Sequence, residues 1–254
     1  SQGAVLRTRT PVEAVESLEG RITAVRGPDG TILNTRAVIV ATGGCSYPAT
    51  GSTGDGYRFA ETLGHRVTPL WPSLVALTTR PTLAAASGLR LRHVALTLRV
   101  EGADVRTEFG EAEITATGLG GPIVLRLSRD AIRALRAQQR VELRLDLKPA
   151  LSEAQLRDRL VRETREGRTL GAILRSLLPA PLVAPFGQRL HHPLTAPGSH
   201  IPAPTWTKLI ELLKAFPFTV CGHGDWSEAI VTAGGVDLNE VDPTTLASRR
   251  IQGL

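Results

Sequence analysis

The feature that most constrains this chain is an unbroken apolar run at residues 37–41, AVIVA, which ends at Thr42-Gly43-Gly44. Strands without polar alternation are typically buried on both faces, and in open sheets such strands are usually parallel. The run therefore predicts a parallel strand inside an α/β domain. The glycines that follow it predict a turn at the carboxyl edge of the sheet.

The residues on either side of this run extend the same picture. Before it, short β-prone segments are separated by turn residues, which predicts an antiparallel meander. The segments are 5–9, 12–15 and 21–25, with turns at Gly20 and at 27–30. After it, a Gly/Ser/Thr/Pro-rich loop at 43–56 leads into a helix predicted over 55–63, with Gly64 as its stop.

The middle of the chain has a different pattern. Apolar and polar residues alternate at 94–100 and at 141–147, which is typical of strands with one buried face. We therefore expect an antiparallel sheet or small barrel across 73–147, interrupted by one helix. From 152 to 215 the pattern is helical, beginning at a capping box of Ser152 and Gln155 and divided by prolines.

Strand patterns return at 218–221 and at 229–232. The chain thus begins and ends with strands that fit one α/β unit, while a β-rich segment and a helical segment lie between them. This order predicts an insertion, and the fold class that it predicts is α+β.

Composition excludes several classes of protein. With 42% apolar and 21% charged residues among 254, the chain can bury a sizeable core and lacks the signature of disorder. Its apolar runs fall well short of the roughly 20 residues that cross a bilayer, and its start lacks the order of a signal peptide. Two cysteines, Cys45 and Cys221, fit a reducing compartment. We therefore expect a cytoplasmic protein with no membrane partner.

The net charge of +6 is dominated by arginine, since only three of the 30 basic residues are lysines. Five arginines at spacings of three and four would form a stripe along a helix. They are Arg126, Arg129, Arg133, Arg136 and Arg140. Such a stripe can contact phosphates, but a solvated helix face is its more common meaning. We expect no nucleic-acid partner, and a non-enzymatic nucleic-acid-binding or scaffold module is the alternative.

The common nucleotide-binding and hydrolase motifs are missing from the sequence. The loop at 43–56 is the strongest candidate for a site, because it follows a predicted buried strand, offers hydroxyls and free amides, and leads into a helix N-terminus that favours an anion. Turn formation alone explains such a loop equally well.

Smaller features each permit two interpretations. Cys45 is either a redox thiol or a packing residue. Tyr47 and Asp55 either exchange a proton or shape the loop and cap the helix. Four histidines together with Cys221 form an irregularly spaced set, in which we expect no metal site. These histidines are His191, His192, His200 and His223.

Three blocks of the sequence resemble one bacterial flavoprotein family. The blocks are AVIVATGG at 37–44 with GSTGDGY at 51–57 and Leu63-Gly64-His65, TATGLGGPI at 115–123, and EAIVTAGGV at 228–236 with 242–245 and Ser248. They follow the family's order and span nearly the whole chain. The family comprises FAD/NAD(P)-dependent oxidoreductases, the HI0933-like flavoproteins, which include aminoacetone oxidases and 3-dehydro-bile-acid reductases.

The resemblance implies a Rossmann-type FAD domain, partial here, that is interrupted by a β-barrel and a small helical domain. The implied segments are 1–72 (partial FAD-binding domain), 73–150 (barrel), 151–215 (helical insert), 216–230 (return strand of the barrel) and 231–254 (return to the FAD-binding domain). The family's Gly-rich fingerprint would precede residue 1, and its closing flavin segment would follow residue 254. We therefore expect a fragment that binds FAD weakly or not at all and is inactive by itself.

The resemblance also implies the chemistry, a hydride transfer through FAD between NAD(P)H or O2 and a small organic substrate. Val12 would offer backbone groups to the adenine, and the loop at 46–56 would run near the flavin. The implied cofactor contacts are Val12, Ala41, Thr42, Gly43, Gly44, Ser46, Tyr47, Gly51 and Asp55. Because Ile114, Ala116 and Thr117 stand where many relatives carry aromatic and histidine residues, no catalytic residue is assigned.

Overall fold

The computed structural model describes residues 3–254, a mixed arrangement of strands and helices in two compact units. The first unit comprises the chain up to Pro72 together with Ala229–Leu254, and the second comprises Ser73–Glu228. Within residues 3–254 no helix is both long enough and apolar enough to span a bilayer.

The described residues contain the following strands and helices. The strands are β1 (Ala14–Leu18), β2 (Arg21–Arg26), β3 (Ile32–Asn34), β4 (Val67–Ser73), β5 (Leu77–Arg80), β6 (Arg90–Val100), β7 (Ala103–Ile114), β8 (Gly118–Gly120), β9 (Val141–Asp146), β10 (Phe216–His223) and β11 (Val231–Val236). The helices are α1 (Asp55–Thr62), α2 (Pro122–Arg136), α3 (Glu153–Arg165), α4 (Leu170–Leu177), α5 (Ala180–Leu190) and α6 (Ala203–Ala215).

The first unit contains two small sheets. Strands β1, β2 and β3 form an antiparallel sheet, and β4 pairs with β11. Its core brings side chains from β1, β2 and α1 onto the end of the chain. These are Val15, Ile22, Phe59, Leu63 and Ile251. Helix α1 ends just before Gly64, whose φ of +85° suits the predicted stop.

The meander prediction is wrong in its details. Residues 5–9 form no strand, and Val5 and Leu6 are 81% and 87% exposed. The first strand begins at Ala14 rather than at residue 12, and β3 was not predicted. An apolar residue favours a strand only where a neighbour pairs with it, and within residues 3–254 no strand pairs with this segment. The late strand predicted at 229–232 also begins later, at Val231.

The predicted buried strand at 37–41 is also wrong. The segment lies in no strand, and Ile39 is 93% exposed. Its one backbone hydrogen bond to a distant part of the described chain joins the Val38 N–H to the Gly253 carbonyl, at 2.8 Å. An apolar sequence favours burial but supplies no partner, and among the described residues no strand flanks this segment.

The second unit contains a closed barrel in the order β10-β5-β8-β7-β6-β9, which confirms the predicted barrel. Val94, Leu96 and Leu98 of β6 are at most 2% exposed, as their alternation predicts. Strand β10 lies between β5 and β9 and is longer than the predicted 218–221. Closure leaves no free strand edge, so alternation along each strand decides which side chains are buried.

The helical part of the second unit follows its sequence signals closely. The Ser152 hydroxyl accepts from the Gln155 N–H at 3.2 Å, and the Gln155 side chain accepts from the Ser152 N–H at 2.9 Å, which confirms the capping box. Helices α3 to α6 occupy the predicted helical region. Phe186 of α5 packs on Phe216 of β10 with ring centroids 5.3 Å apart, so helices and barrel share a core.

Candidate functional site

The loop that follows residue 41 folds back on itself. The Gly54 N–H donates to the Gly44 carbonyl at 3.1 Å, which closes the loop. Gly43 has a φ of +74°, and a Cβ there would lie 2.6 Å from the Ser52 hydroxyl oxygen. Glycine is therefore required at 43 by both backbone conformation and space.

Thr232 of β11 anchors this loop from 187 residues away. Its hydroxyl oxygen accepts from the backbone N–H groups of Cys45 at 2.8 Å and Ser46 at 3.2 Å. A Cβ at Gly44 would overlap that hydroxyl. The space beside Gly44 is therefore filled by Thr232, and close packing of the protein itself accounts for this glycine.

A cavity of about 690 Å³ lies beside the extended segment and is lined by residues 37–43. The other walls come from α1, through Tyr57 and Ala60, and from residues 245–248. In the described part of the chain, the backbone N–H groups of residues 39–44 have no hydrogen-bond partner. Unpaired amides beside an apolar wall suit a ligand with both oxygen acceptors and a ring system.

A second cavity, of about 420 Å³, lies on the other side of Tyr57 and is rich in hydroxyls. Its lining includes Gly44, Ser46, Tyr47 and Thr232. Tyr57 lines both cavities, and burial, reinforced by the neighbouring Cys45, raises the pKa of its phenol. The phenol therefore stays protonated at neutral pH and is available as a hydrogen-bond donor.

The helix N-terminus that we expected to favour an anion already holds a carboxylate. Asp55 is the first residue of α1, and its oxygens accept from the Thr53 hydroxyl at 2.7 Å and from Arg58 at 3.3 Å. These hydrogen bonds, the one from Thr53 first, lower the pKa of Asp55. An ionised Asp55 places a negative charge in the first turn of α1, where it partly offsets the positive end of the helix dipole.

The structure separates the predicted cofactor contacts into three groups. Ala41, Thr42 and Gly43 line the larger cavity, whereas Gly44, Ser46 and Tyr47 line the smaller one. The remaining three, Val12, Gly51 and Asp55, line neither cavity.

Sequence reasoning missed two residues of this site, Thr232 and Tyr57. Tyr57 belongs to the quoted GSTGDGY block, but it is not among the implied cofactor contacts. Thr232 belongs to the quoted EAIVTAGGV block, but its role was not expected, because it arises from a contact across most of the chain.

A hydrogen-bonded chain of three side chains stands at the wall of the larger cavity. His65 is 6% exposed; its Nδ1 lies 3.0 Å from a Glu240 carboxylate oxygen and its Nε2 lies 2.8 Å from the Ser248 hydroxyl. The backbone N–H of Arg66 is the largest cause that lowers the pKa of Glu240, followed by the His65 hydrogen bond and by Arg250.

This chain of side chains resembles a nucleophile–base–carboxylate arrangement, but the Ser248 oxygen is already occupied. It accepts from the N–H groups of Arg250 at 3.0 Å and Ile251 at 2.8 Å. Both lone pairs are therefore engaged, and the hydroxyl is left only to donate to His65. We interpret the three residues as a clasp that holds residues 240–251 against the end of α1.

The arginine stripe is largely paired with carboxylates. Arg126 pairs with Glu108 at 2.6 Å and Arg133 with Asp130 at 3.1 Å, while Ile132 on the same helix is fully buried. Arg140 lies beyond the end of α2 and pairs with Glu142, so its predicted place on the helix is wrong. The helix ends at Arg136, and Gln138, with a φ of +59°, lies in the turn before β9 begins at Val141.

The cysteines and histidines form no metal centre within residues 3–254, where no group of three or more metal-binding side chains occurs. Cys45 and Cys221 are free thiols. His192 lies 3.2 Å from the Thr205 hydroxyl, and the Nδ1 of His223 lies 2.7 Å from the Gly224 carbonyl.

Comparison with known proteins places the chain in a family. The profile described as HI0933-like protein barrel and H2TH domain matches residues 71–231. The chain is 31% identical over 230 residues to the 3-dehydro-bile acid delta(4,6)-reductase of Clostridium scindens, covering 89% of this chain and 56% of that protein.

Two further relatives are named ribosomal RNA dihydrouridine synthase. The one from Haemophilus influenzae is 28% identical over 99% of this chain and 61% of its own length. The one from Escherichia coli is 28% identical over 89% of this chain and 54% of its own length. The chain thus spans a little over half the length of these relatives. Because the profile covers more than half of the chain, this protein belongs to the HI0933-like family.

Proposed function

We propose that this chain is part of an FAD-dependent oxidoreductase. The observation that carries the proposal is the larger cavity, which is lined by residues 39–43 with their unpaired backbone amides and by an apolar wall. Such a wall suits a dinucleotide, whose phosphate and carbonyl oxygens need donors while its rings need apolar surface. Membership of the HI0933-like family supports the same assignment.

The names of the relatives suggest one reaction type. A delta(4,6)-reductase of a 3-dehydro-bile acid and a synthase of dihydrouridine both reduce a carbon–carbon double bond that is conjugated to a carbonyl group. Reduced FAD, once bound, would supply the hydride for such a reduction. We propose a reaction of this class for this protein: the conjugated double bond would gain a hydride at the carbon β to the carbonyl and a proton from solvent at the α carbon, with NAD(P)H, oxidised to NAD(P)⁺, as the net reductant.

The residues of this chain would contribute binding and positioning. The backbone N–H groups of Ala41, Thr42 and Gly43 would donate to the cofactor from one wall of the cavity. Ser46 and Tyr47 would line the approach through the smaller cavity. Val12 would meet the adenine through its backbone, while Gly51 and Asp55 would act by shaping the loop rather than by contact.

Flavin titration tests this proposal. We expect the 254-residue chain to bind FAD weakly, because the amide wall is open on one side. A longer protein, as long as the relatives, should bind FAD stoichiometrically. Gly43→Ala in the longer protein should weaken FAD binding at least tenfold.

Gly30→Ala is the matched control, since Gly30 also has a positive φ, of +81°, but has open space around it and lies in the turn before β3. It should leave FAD affinity unchanged. NAD(P)H oxidation by the longer protein should require an α,β-unsaturated carbonyl compound. A colourless longer protein, or oxidation of NAD(P)H that proceeds equally without such a compound, would contradict the proposal.

A further inference from the structure

The net charge of the chain is confined to one unit. The first unit has nine basic and nine acidic residues, so the whole net charge of +6 lies in Ser73–Glu228. Within that unit, residues 151–215 contribute nine basic residues against five acidic ones. An excess of one sign in one region indicates attraction to a partner of the opposite charge.

Helix α3 has four basic and three acidic residues, so it contributes only +1 of this excess, but three of its arginine side chains are unpaired. In the part of the chain that the structure describes, the side chains of Arg157, Arg162 and Arg165 are exposed and have no hydrogen-bond or ion-pair partner. Two other arginines of this region form ion pairs with Glu163. The distances from Arg159 Nε and Arg168 Nη1 to the Glu163 carboxylate oxygens are 2.9 Å and 2.7 Å. This differs from α2, where Arg126 and Arg133 are paired.

Grooves flank α3 on two sides and meet at Val161, which is 44% exposed. The smaller groove, of about 250 Å³, lies between α3 and α6 and is lined by Arg157, Thr164 and the half-buried Trp206, with no carboxylate. The larger, of about 660 Å³, is lined by Arg162 and Arg165 together with one exposed carboxylate, Asp158. We call Arg157, Val161, Arg162, Arg165 and Trp206 the α3 surface.

An indole beside an unpaired guanidinium has a specific use in recognition. The flat face of Trp206 can stack on an unpaired base, and the arginines can contact the phosphates on either side of it. Duplex nucleic acid hides its base faces, so this combination fits a single strand better than a duplex. A steroid-like substrate has neither bases nor phosphates and would leave both features unused.

We propose that the α3 surface binds a single-stranded segment of RNA. The inference deepens the proposed function and rests on it for the reaction, since the conjugated double bond would then be that of a uridine in RNA. It departs from our expectation of no nucleic-acid partner, in which the arginine stripe at 126–140 was the basic feature that we weighed. Two relatives named as acting on ribosomal RNA are consistent with it.

RNA binding by the 254-residue chain tests the inference without any flavin. A fluorescent single-stranded RNA of 12 uridines should bind the chain, and its affinity should fall roughly 20-fold between 50 and 200 mM salt for about three phosphate contacts. The triple variant Arg157→Gln/Arg162→Gln/Arg165→Gln should abolish most of this salt dependence. Trp206→Ala should weaken binding roughly fivefold or more, and Trp206→Phe should restore it.

The matched control is Arg126→Gln/Arg129→Gln/Arg133→Gln on α2, which removes the same charge and should change affinity by no more than about twofold. Circular dichroism shows whether each variant retains its helices. The inference is overturned if the two triple variants lose binding equally, if the chain binds no RNA, or if vesicles of anionic lipid compete for the same arginines more strongly. If the 254-residue chain binds RNA but the longer protein binds no flavin, the proposed reductase alone is contradicted. If the longer protein binds flavin but the chain binds no RNA, this inference alone is contradicted.

Discussion

The two units differ in how their backbones are paired. In the second unit each barrel strand has a neighbour on both sides, and side chains such as Leu96 and Leu143 are completely buried. In the first unit, the most apolar segment of the chain has a side chain, Ile39, that is 93% exposed. Hydrophobic sequence thus produces burial only where hydrogen-bonded neighbours bring a surface to cover it.

Truncation of an apolar side chain should give the largest difference in stability effect between the two units. Phe216→Ala should lower the free energy of unfolding of the second unit by about 3–5 kcal/mol, because the ring is 1% exposed and packs on Phe186 and Phe218. Ile39→Ala should change stability by less than about 0.5 kcal/mol. Urea unfolding followed by circular dichroism measures both. A loss above about 1 kcal/mol for Ile39→Ala would mean that the segment is covered.

The next effect concerns the anchor of the loop in the first unit. Thr232→Val removes the acceptor of two partly buried N–H groups and should cost about 1–3 kcal/mol. Hydrogen exchange at the Cys45 and Ser46 amides should accelerate, while amides of the barrel keep their protection. Thr232→Ser keeps the hydroxyl and is the control. If the serine and valine variants exchange alike, the hydroxyl is not the anchor.

The smallest effect is a pH dependence confined to the first unit. Hydrogen bonds lower the pKa of Glu240 in the folded state below the ordinary value of 4.5. A carboxyl group whose pKa is lowered by folding stabilises the folded state at pH values above its ordinary pKa. This stabilisation is lost as the pH falls through the pKa of the folded state. Glu240→Gln should therefore be less stable than the parent at pH 7 and should lose less stability between pH 5 and pH 3.

Denaturant midpoints at pH 7, 5 and 3 measure this difference. Glu19→Gln is the control, because Glu19 is an exposed glutamate of the same unit whose side chain has no partner among the described residues. Parallel midpoints for Glu240→Gln and the parent across this range would show that the clasp does not depend on the charge of Glu240.

The difference in backbone pairing between the two units also explains which parts of the fold were predictable. The alternation at Val94, Leu96 and Leu98 predicted barrel strands correctly, because in a closed sheet the period of the side chains matches their burial. The capping box at Ser152 was predictable for a similar reason, since its hydrogen bonds join residues three apart. Local rules succeeded where the deciding contacts are local or regular.

The candidate site was less predictable because its contacts are distant. The Gly-rich loop was found from its glycines, yet the partner that makes Gly44 necessary is Thr232. The clasp of His65, Glu240 and Ser248 likewise joins residues about 180 positions apart, with separations of 175 and 183. Nothing in either local sequence specifies such a pair, so only the folded chain reveals it.

The link between Cys45 and Thr232 has a consequence for synthesis of the protein. Ribosomes add about 5–20 residues each second, so the 187 residues between the two partners take roughly ten to forty seconds to appear. During that time the first part of the first unit has been synthesised but Thr232 has not. Residues Ser73–Glu228, which contain all strands of the barrel, are synthesised in this interval. Closing a flexible loop of that length is entropically costly, and a barrel that folds first shortens the loop to be closed. The order of translation therefore favours a barrel that matures early and a candidate site that is assembled last.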